Sequence, residues 1–295
     1  MAYIFYPGCA SEATGKASFI SFEAVVKALG MDVHGEIPDW NCCGATLVAN
    51  AIGDFAQQAI AARNLALAEK AGKDIVVACS SCYLNLAWTN EKMKIDSKFN
   101  SQINEALAAG GLSYGASLQV RHLIDVLINE VGLDKIRERT IKPLEGLKVA
   151  CYSGCQTVRA IRRPDFDDVE YPVMLDRLVE ALGATPVPFP LAARCCGGSQ
   201  QFTNPELIYD LTGKVLDCAA ENGADVIVTP CPMCALNTDA FQEKIAKLNK
   251  KKYDMPVLFV TQLMGVAFDL KPKDLALQYN IVSPYKKLAK YGVKK

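Results

Sequence analysis

Short apolar runs punctuate the chain, and each is followed by a glycine-rich turn and then an amphipathic stretch. Ala2–Tyr6 and Leu147–Tyr152 are β-branched or aromatic runs that predict strands. Helical patterns follow over Phe19–Leu29 and Pro172–Leu182, with Gly30 and Gly183 placed to stop them. An Ala-rich pattern predicts a helix over Thr46–Ala71, with Pro205–Glu221 as its counterpart. Further strands are predicted at Ile75–Ala78 and Val226–Thr229. Closing helices are predicted at His122–Val131 and Gln262–Phe268, each after a short β-like run. Strands alternating with helices imply an α/β fold with mostly parallel sheets. The pattern repeats, so the expectation is two pseudo-symmetric duplicated domains, 1–143 and 144–295, each a small sheet with flanking helices. Pro143 and Gly146 mark the boundary. The segment Asn90–Gly115 and the tail from Lys271 lack counterparts and are candidate docking elements.

Composition narrows the function. The 295 residues include 32 Lys+Arg against 32 Asp+Glu, a formal net charge of +0, which argues against a broad nucleic-acid-binding surface. The longest apolar stretch, Val257–Phe268, is interrupted by Thr261 and Gln262 and is too short to span a bilayer. No transmembrane segment and no secretory leader are read, and a cytoplasmic location is expected. The outlying number is 12 cysteines against two histidines, His34 and His122. In a reducing compartment such thiols serve metals or redox chemistry more often than structural disulfides.

Ten of the twelve form two matched sets. Cys9 is followed after 32 residues by Cys42-Cys43-Gly44, and after 35 more by Cys79-x-x-Cys82. Cys155 is followed after 39 residues by Cys195-Cys196-Gly197, and after 34 more by Cys231-x-x-Cys234. Thiolates suit zinc and iron–sulfur centres alike, but either zinc or an ordinary cubane closes its shell with four ligands. Five per half favours a larger or more open iron–sulfur assembly. A thioredoxin-like attack by the CxxC thiols is the rival chemistry; it leaves the adjacent pairs unexplained. Cys151 and Cys218 fall outside the pattern and read as ordinary buried thiols.

Two copies of C-x(n)-CCG-x(n)-CxxC, spanning about residues 1–270, resemble the cysteine-rich CCG family, and within it the B subunits of heterodisulfide reductases. The resemblance implies two noncubane [4Fe–4S] clusters. One would be held by Cys9, Cys42, Cys43, Cys79 and Cys82, the other by Cys155, Cys195, Cys196, Cys231 and Cys234. It implies reduction of the mixed disulfide of coenzyme M and coenzyme B to two thiols by one-electron steps, as part of methanogenesis. The chain has no ferredoxin motif of its own. The implied partners are therefore a ferredoxin-like iron–sulfur protein (the C subunit of such reductases) and, through it, a flavin-containing A subunit with a hydrogenase or formate dehydrogenase. The alternative within the family is an electron-relay subunit of a thiol:fumarate, succinate or hydroxy-acid oxidoreductase complex. An anionic substrate needs local cations or helix N-termini. Lys16, Arg159, Arg162, Arg163 and Arg194 lie near the ligand cysteines in sequence and are the candidates. Gly8, Gly44, Gly154, Gly197 and Gly198 are placed to let backbone N–H groups approach the sulfurs. His34 is the candidate proton donor, and His122 reads as a structural residue far from the cysteines.

Overall fold

The computed structural model describes residues 2–45, 49–159 and 166–294. Its first sheet is built from β1 (Tyr3–Tyr6), β2 (Val33–Glu36), β3 (Asp74–Val77) and β4 (Val120–His122), in the order β2-β1-β3-β4 with every pair parallel. The second contains β5 (Lys148–Cys151), β6 (Thr185–Pro186), β7 (Val226–Thr229) and β8 (Val257–Phe259), ordered β6-β5-β7-β8 and again parallel. The central strands are mostly apolar because helices cover both faces; β1 reads Tyr-Ile-Phe-Tyr, and all four residues are buried. The fold is therefore α/β, with one four-stranded sheet and its flanking helices in each half.

The helices that matter for the site are α1 (Lys16–Leu29), α2 (Asp54–Lys70), α3 (Ser80–Ile95), α4 (Ser97–Ala108), α5 (Leu133–Arg139), α6 (Met174–Ala181), α7 (Pro205–Glu221), α8 (Pro232–Ala240), α9 (Gln242–Asn249) and α10 (Val260–Ala267). Three differences from the sequence reading have simple causes. The outer strands β2 and β6 are absent from that reading, because Val-His-Gly-Glu and Thr-Pro carry almost no apolar pattern. The helix expected over Thr46–Ala71 is broken: a short turn at Ala49–Ile52 is separated from α2 by Gly53, whose φ of 76° no helix residue can adopt. Residue 122 ends β4, so the closing helix of the first half starts one residue later, at Leu123.

The two sheets share one core. A single buried cluster includes Tyr3, Phe5, Phe22 and Leu127 from the first half with Val149, Leu178, Val228 and Leu263 from the second. It forms because helices pack across the halves, α1 on α10 and α6 on α5. Ser21 Oγ lies 2.6 Å from Thr261 Oγ1 inside the first of these contacts, and Arg139 donates from Nε to the carbonyl of Ala28 at 3.1 Å.

The segments without counterparts dock within the chain itself. Helix α4, in the Asn90–Gly115 segment, packs on α2 and α3. The C-terminal tail straps the second half. Ile281 and Val282 donate their N–H groups to the Asp239 carboxylate at 2.7 and 2.9 Å, and Tyr291 donates its hydroxyl to the carbonyl of Glu145 at 3.0 Å.

Two outcomes follow from this packing. Leu263→Ala empties a fully buried position in α10 and should cost about 2–5 kcal/mol. Both tryptophans, Trp40 and Trp88, lie in the first half. Their fluorescence should nevertheless report the lowered midpoint of chemical denaturation, in one transition; an unchanged fluorescence midpoint would mean that the halves unfold independently. Burial lifts the Asp239 carboxyl to about 6 against the two N–H donors that oppose the shift. The folded state then holds this proton more tightly than the unfolded chain does. Stability from this group is full below about pH 4 and falls as pH rises towards 6. In Asp239→Asn the midpoint measured against pH should lose that slope.

Candidate functional site

Ligands of parallel α/β sheets gather beyond the strand C-termini, and there the chain delivers its cysteines. β1 runs through Pro7-Gly8 into Cys9, while β3 delivers Cys79 at the start of α3, with Cys82 on the first turn. The second half repeats this, with β5 leading to Cys155 and β7 to Cys231, and with Cys234 on the first turn of α8. Gly8 and Gly154 both have φ of 72°, and a Cβ on either would fall 2.9 Å from Cys82 Sγ or 3.0 Å from Cys234 Sγ. Only glycine lets these turns pass so close to a sulfur.

The thiols form a file that crosses from one half to the other. Cys9 is hydrogen-bonded to Cys42, and Cys42 to Cys43. Cys43 Sγ lies 3.3 Å from Cys82 Sγ. Cys82 and Cys79 are close enough to shift each other's titration, and so are Cys79 and Cys231 of the other half. Cys231 bonds Cys234, whose Sγ lies 3.6 Å from Cys196 Sγ. Cys155 and Cys195 pair beside this end. The middle of the file is buried, whereas Cys9 and Cys195 are exposed and Cys42 and Cys155 half-exposed. Among the described residues no three His, Cys, Asp or Glu side chains converge on one ion-sized position. The contacts run pair by pair and do not form a closed shell.

Electrostatics separates the thiols. Hydrogen bonds from Cys43, Cys9 and the Gly44 N–H pull Cys42 down to about 2. Cys155 and the N–H groups of Gly197 and Gly198 pull Cys195 down to about 6, against the cost of burial. Donation to these neighbours pushes Cys9 and Cys155 far up. Within these two pairs the proton is favoured on Cys9 and Cys155, and negative charge on Cys42 and Cys195. Gly44 N lies 3.5 Å from Cys42 Sγ, and Gly197 N lies 3.2 Å from Cys195 Sγ.

The other candidates from the sequence are placed differently. His34 stands on the outer strand β2 with Nε2 2.7 Å from the Asp32 carboxylate, and it is not among the residues gathered round the thiols. Arg159 is turned to the surface, donating from NH2 to Glu170 at 3.0 Å and from Nε to the carbonyl of Val169 at 3.1 Å. Lys16 and Arg194 are exposed at the start of α1 and beside Cys195. Arg162 and Arg163 lie outside the described residues. Cys151 is fully buried, hydrogen-bonded to Asp176, and burial pushes its thiol well up. Cys218 is half-buried on α7.

His122 is the clearest difference. The sequence reading sets it far from the cysteines, yet it is fully buried near enough to Cys231 to feel its charge. Burial holds its imidazole down to about 4. Its Nδ1 accepts from the Ile124 N–H at 3.2 Å, and its Nε2 faces Ser80 Oγ at 3.5 Å. Ser80 in turn lies 2.6 Å from Thr157 Oγ1, and Ser81 bonds Gln156. Ser80, Ser81, Gln156 and Ser199 line a small recess of about 40 Å³ with Cys155, Cys195, Cys196, Cys231 and Cys234. A helix start and a strand end carry these residues, with no motif to mark them. The only sequence signal is that Ser80 and Ser81 fill the CxxC spacer.

Known proteins resemble this chain. The cysteine-rich CCG domain matches residues 3–87 and 149–239, once in each half. The chain is 35% identical over 284 residues to the 8-methylmenaquinol:fumarate reductase membrane anchor subunit of Wolinella succinogenes, covering 96% of this chain and 98% of that one. It is 32% identical over 257 residues to the B subunit of the ferredoxin:CoB-CoM heterodisulfide reductase of Methanosarcina mazei, covering 86% and 85%. A protein of similar identity and coverage in Archaeoglobus profundus is named for its likeness to the B subunit of heterodisulfide reductase. A crystal structure of a hypothetical protein from Helicobacter pylori superposes with a TM-score of 0.75 at 15% identity; the match covers 96% of this chain and 52% of that one, a likeness of fold alone. No helix among the described residues is long and apolar enough to cross a membrane. With two family matches, each spanning a Gly-Cys turn, a CysCysGly pair and a CxxC, the chain belongs to the CCG cysteine-rich family and is a duplicated member of it.

Proposed function

We propose that the chain is an electron-transfer subunit that binds one iron–sulfur cluster, of the noncubane [4Fe–4S] type, in each five-thiol set. It carries single electrons between partner subunits of a fumarate-reductase-type complex. The observation that carries this reading is the thiol file, which runs from exposed Cys9 through the buried Cys79–Cys231 pair to the exposed Cys195 edge. The end-to-end likeness to the Wolinella protein supports the same class of complex.

The residues fit such a group. Each half offers five thiols with no histidine or carboxylate among them, the donor set iron–sulfur centres use. Gly8 and Gly154 leave at Cys82 and Cys234 a space that a Cβ would fill. A bound cluster supplies one-electron chemistry at its iron. The chain does the rest. Gly44, Gly197 and Gly198 aim backbone N–H groups at the sulfurs, stabilising negative charge there. The shared core fixes the two sets against each other, and burial of Cys79, Cys82, Cys231 and Cys234 keeps water from the junction. The exposed edges at Cys9 and Cys195 are where redox partners, ferredoxin-like or flavin-containing, would dock.

A second reading is reduction of a small-molecule disulfide at the chain's own clusters, as the name of the Methanosarcina relative has it. Ser81, Gln156 and Ser199, which line the recess beside the second thiol set, favour it. The readings separate in a viologen-linked assay on the anaerobically purified chain. A relay protein leaves the mixed disulfide of coenzyme M and coenzyme B untouched, and supports fumarate reduction or succinate oxidation only with its partner subunits. Disulfide-dependent oxidation of the dye by the chain alone would establish the second reading instead.

The protein should carry about eight iron atoms and matching acid-labile sulfide if each set holds one four-iron cluster; zinc in their place would overturn the proposal. Gly8→Ala should lose about half of the iron, and so should Gly154→Ala. Gly53→Ala shares the positive φ but has open space at its Cβ, so it should cost about 1–3 kcal/mol of backbone strain and keep its iron. Equal iron loss in all three would show that strain, not the sulfur contact, is responsible.

A further inference from the structure

Duplication predicts two equivalent sites, yet the residues that cover them are not equivalent. Over the second set stands a directed hydrogen-bond file. His122 Nδ1 accepts from the Ile124 N–H, so its proton is on Nε2, facing Ser80 Oγ at 3.5 Å. Thr157 donates to the carbonyl of Ser153, so it accepts from Ser80 at 2.6 Å. The file therefore runs from first-half residues into the turn that carries Cys155. Beside it, Ser81 donates to Gln156 Oε1. That bond leaves the Gln156 NH2 as a donor in the recess lined by Cys155, Cys195, Cys196, Cys231 and Cys234.

The mirror positions carry none of this. Strand register sets Phe259 opposite Thr229 as His122 stands opposite Val77. Pro232 and Met233 take the places of Ser80 and Ser81 in the CxxC spacer, and Ala10 that of Gln156 after the first cysteine. Pro232 crosses to the first half as Ser80 crosses to the second: a Cβ on Gly15 would fall 3.1 Å from its Cβ. The hydroxyl, amide and imidazole positions of the second set thus have proline, alanine and phenylalanine as their counterparts, while Met233 stays beside its own set, in the Cys155 recess.

Resting on the two-cluster reading above, we infer that the duplicated sites have diverged into an unequal redox pair. The Cys155/Cys195/Cys196/Cys231/Cys234 site has the higher potential, and Gln156 and Ser80 set it there. Reduction adds a negative charge, which the donors at Gln156 and Ser80 stabilise and Ala10 and Pro232 at the mirror positions do not. Electrons therefore run from the first site to the second. A donor protein gives one electron to the first site. Its passage across Cys79–Cys231 reoxidises that site and reduces the second, which the acceptor protein then reoxidises. Two such transits deliver an electron pair.

A potentiometric titration of the full, anaerobically purified chain, followed by EPR, tests this. Two separate midpoints are expected. Gln156→Leu and Ser80→Ala should lower the upper midpoint and leave the lower one in place, whereas Ser80→Thr should restore it. Ala10→Gln, at the mirror position, should raise the lower midpoint, and it keeps the test open if Gln156→Leu binds iron poorly. Coincident midpoints in the wild type, or variants that move both midpoints together or neither, overturn the inference while leaving the two-cluster reading intact. A wild-type chain with no iron–sulfur signal defeats that reading, and this inference with it.

Discussion

Everything at the site depends on bringing two strand ends, one from each half, close enough for Cys79 and Cys231 to influence each other's charge. Each parallel sheet projects its own cysteines beyond its C-terminal edge, and a single sheet could do no more than build one thiol set. Proximity of the sets requires the two edges to face each other. The exchange of helix contacts, α1 on α10 and α6 on α5, achieves this by burying Phe22, Leu178 and Leu263 in one core. Burial at roughly 25 cal/mol per Å² of apolar surface, summed over that core, outweighs the cost of gathering ten thiols of which six are buried.

Much of this was legible in the sequence, for definable reasons. Matched spacings of Gly-Cys, CysCysGly and CxxC identify the duplication, because sites on equivalent strand ends keep equivalent intervals. The central strands stand out because they are apolar on both faces. Edge strands do not: β2 reads Val-His-Gly-Glu and β6 Thr-Pro, and each forms only because a neighbour supplies the pairing. Arg159 is misread for a related reason. Proximity in sequence to a cysteine says nothing about side-chain direction, and Arg159 turns to Glu170.

His122 illustrates the remaining limit. Its place in the chain, 40 residues past Cys82, gave no hint of a role near the thiols. The parallel register that sets it beside Val77 carries it to the same sheet edge as Cys79, and the shared core then brings that edge against Cys231. Contacts across the halves arise from packing two copies together, and no local pattern within one copy encodes them. For the same reason, divergence between the copies becomes visible only once His122 and Phe259 are known to be equivalent.

The central claim is that the two thiol sets hold adjacent redox centres, and magnetic interaction between them tests it most directly. EPR spectra of the anaerobic protein, recorded at graded reduction, should show one simple signal while a single centre is reduced. Broadening or splitting should appear only when both centres become paramagnetic. A single signal at every stage, or two signals that add without interacting, would contradict the account.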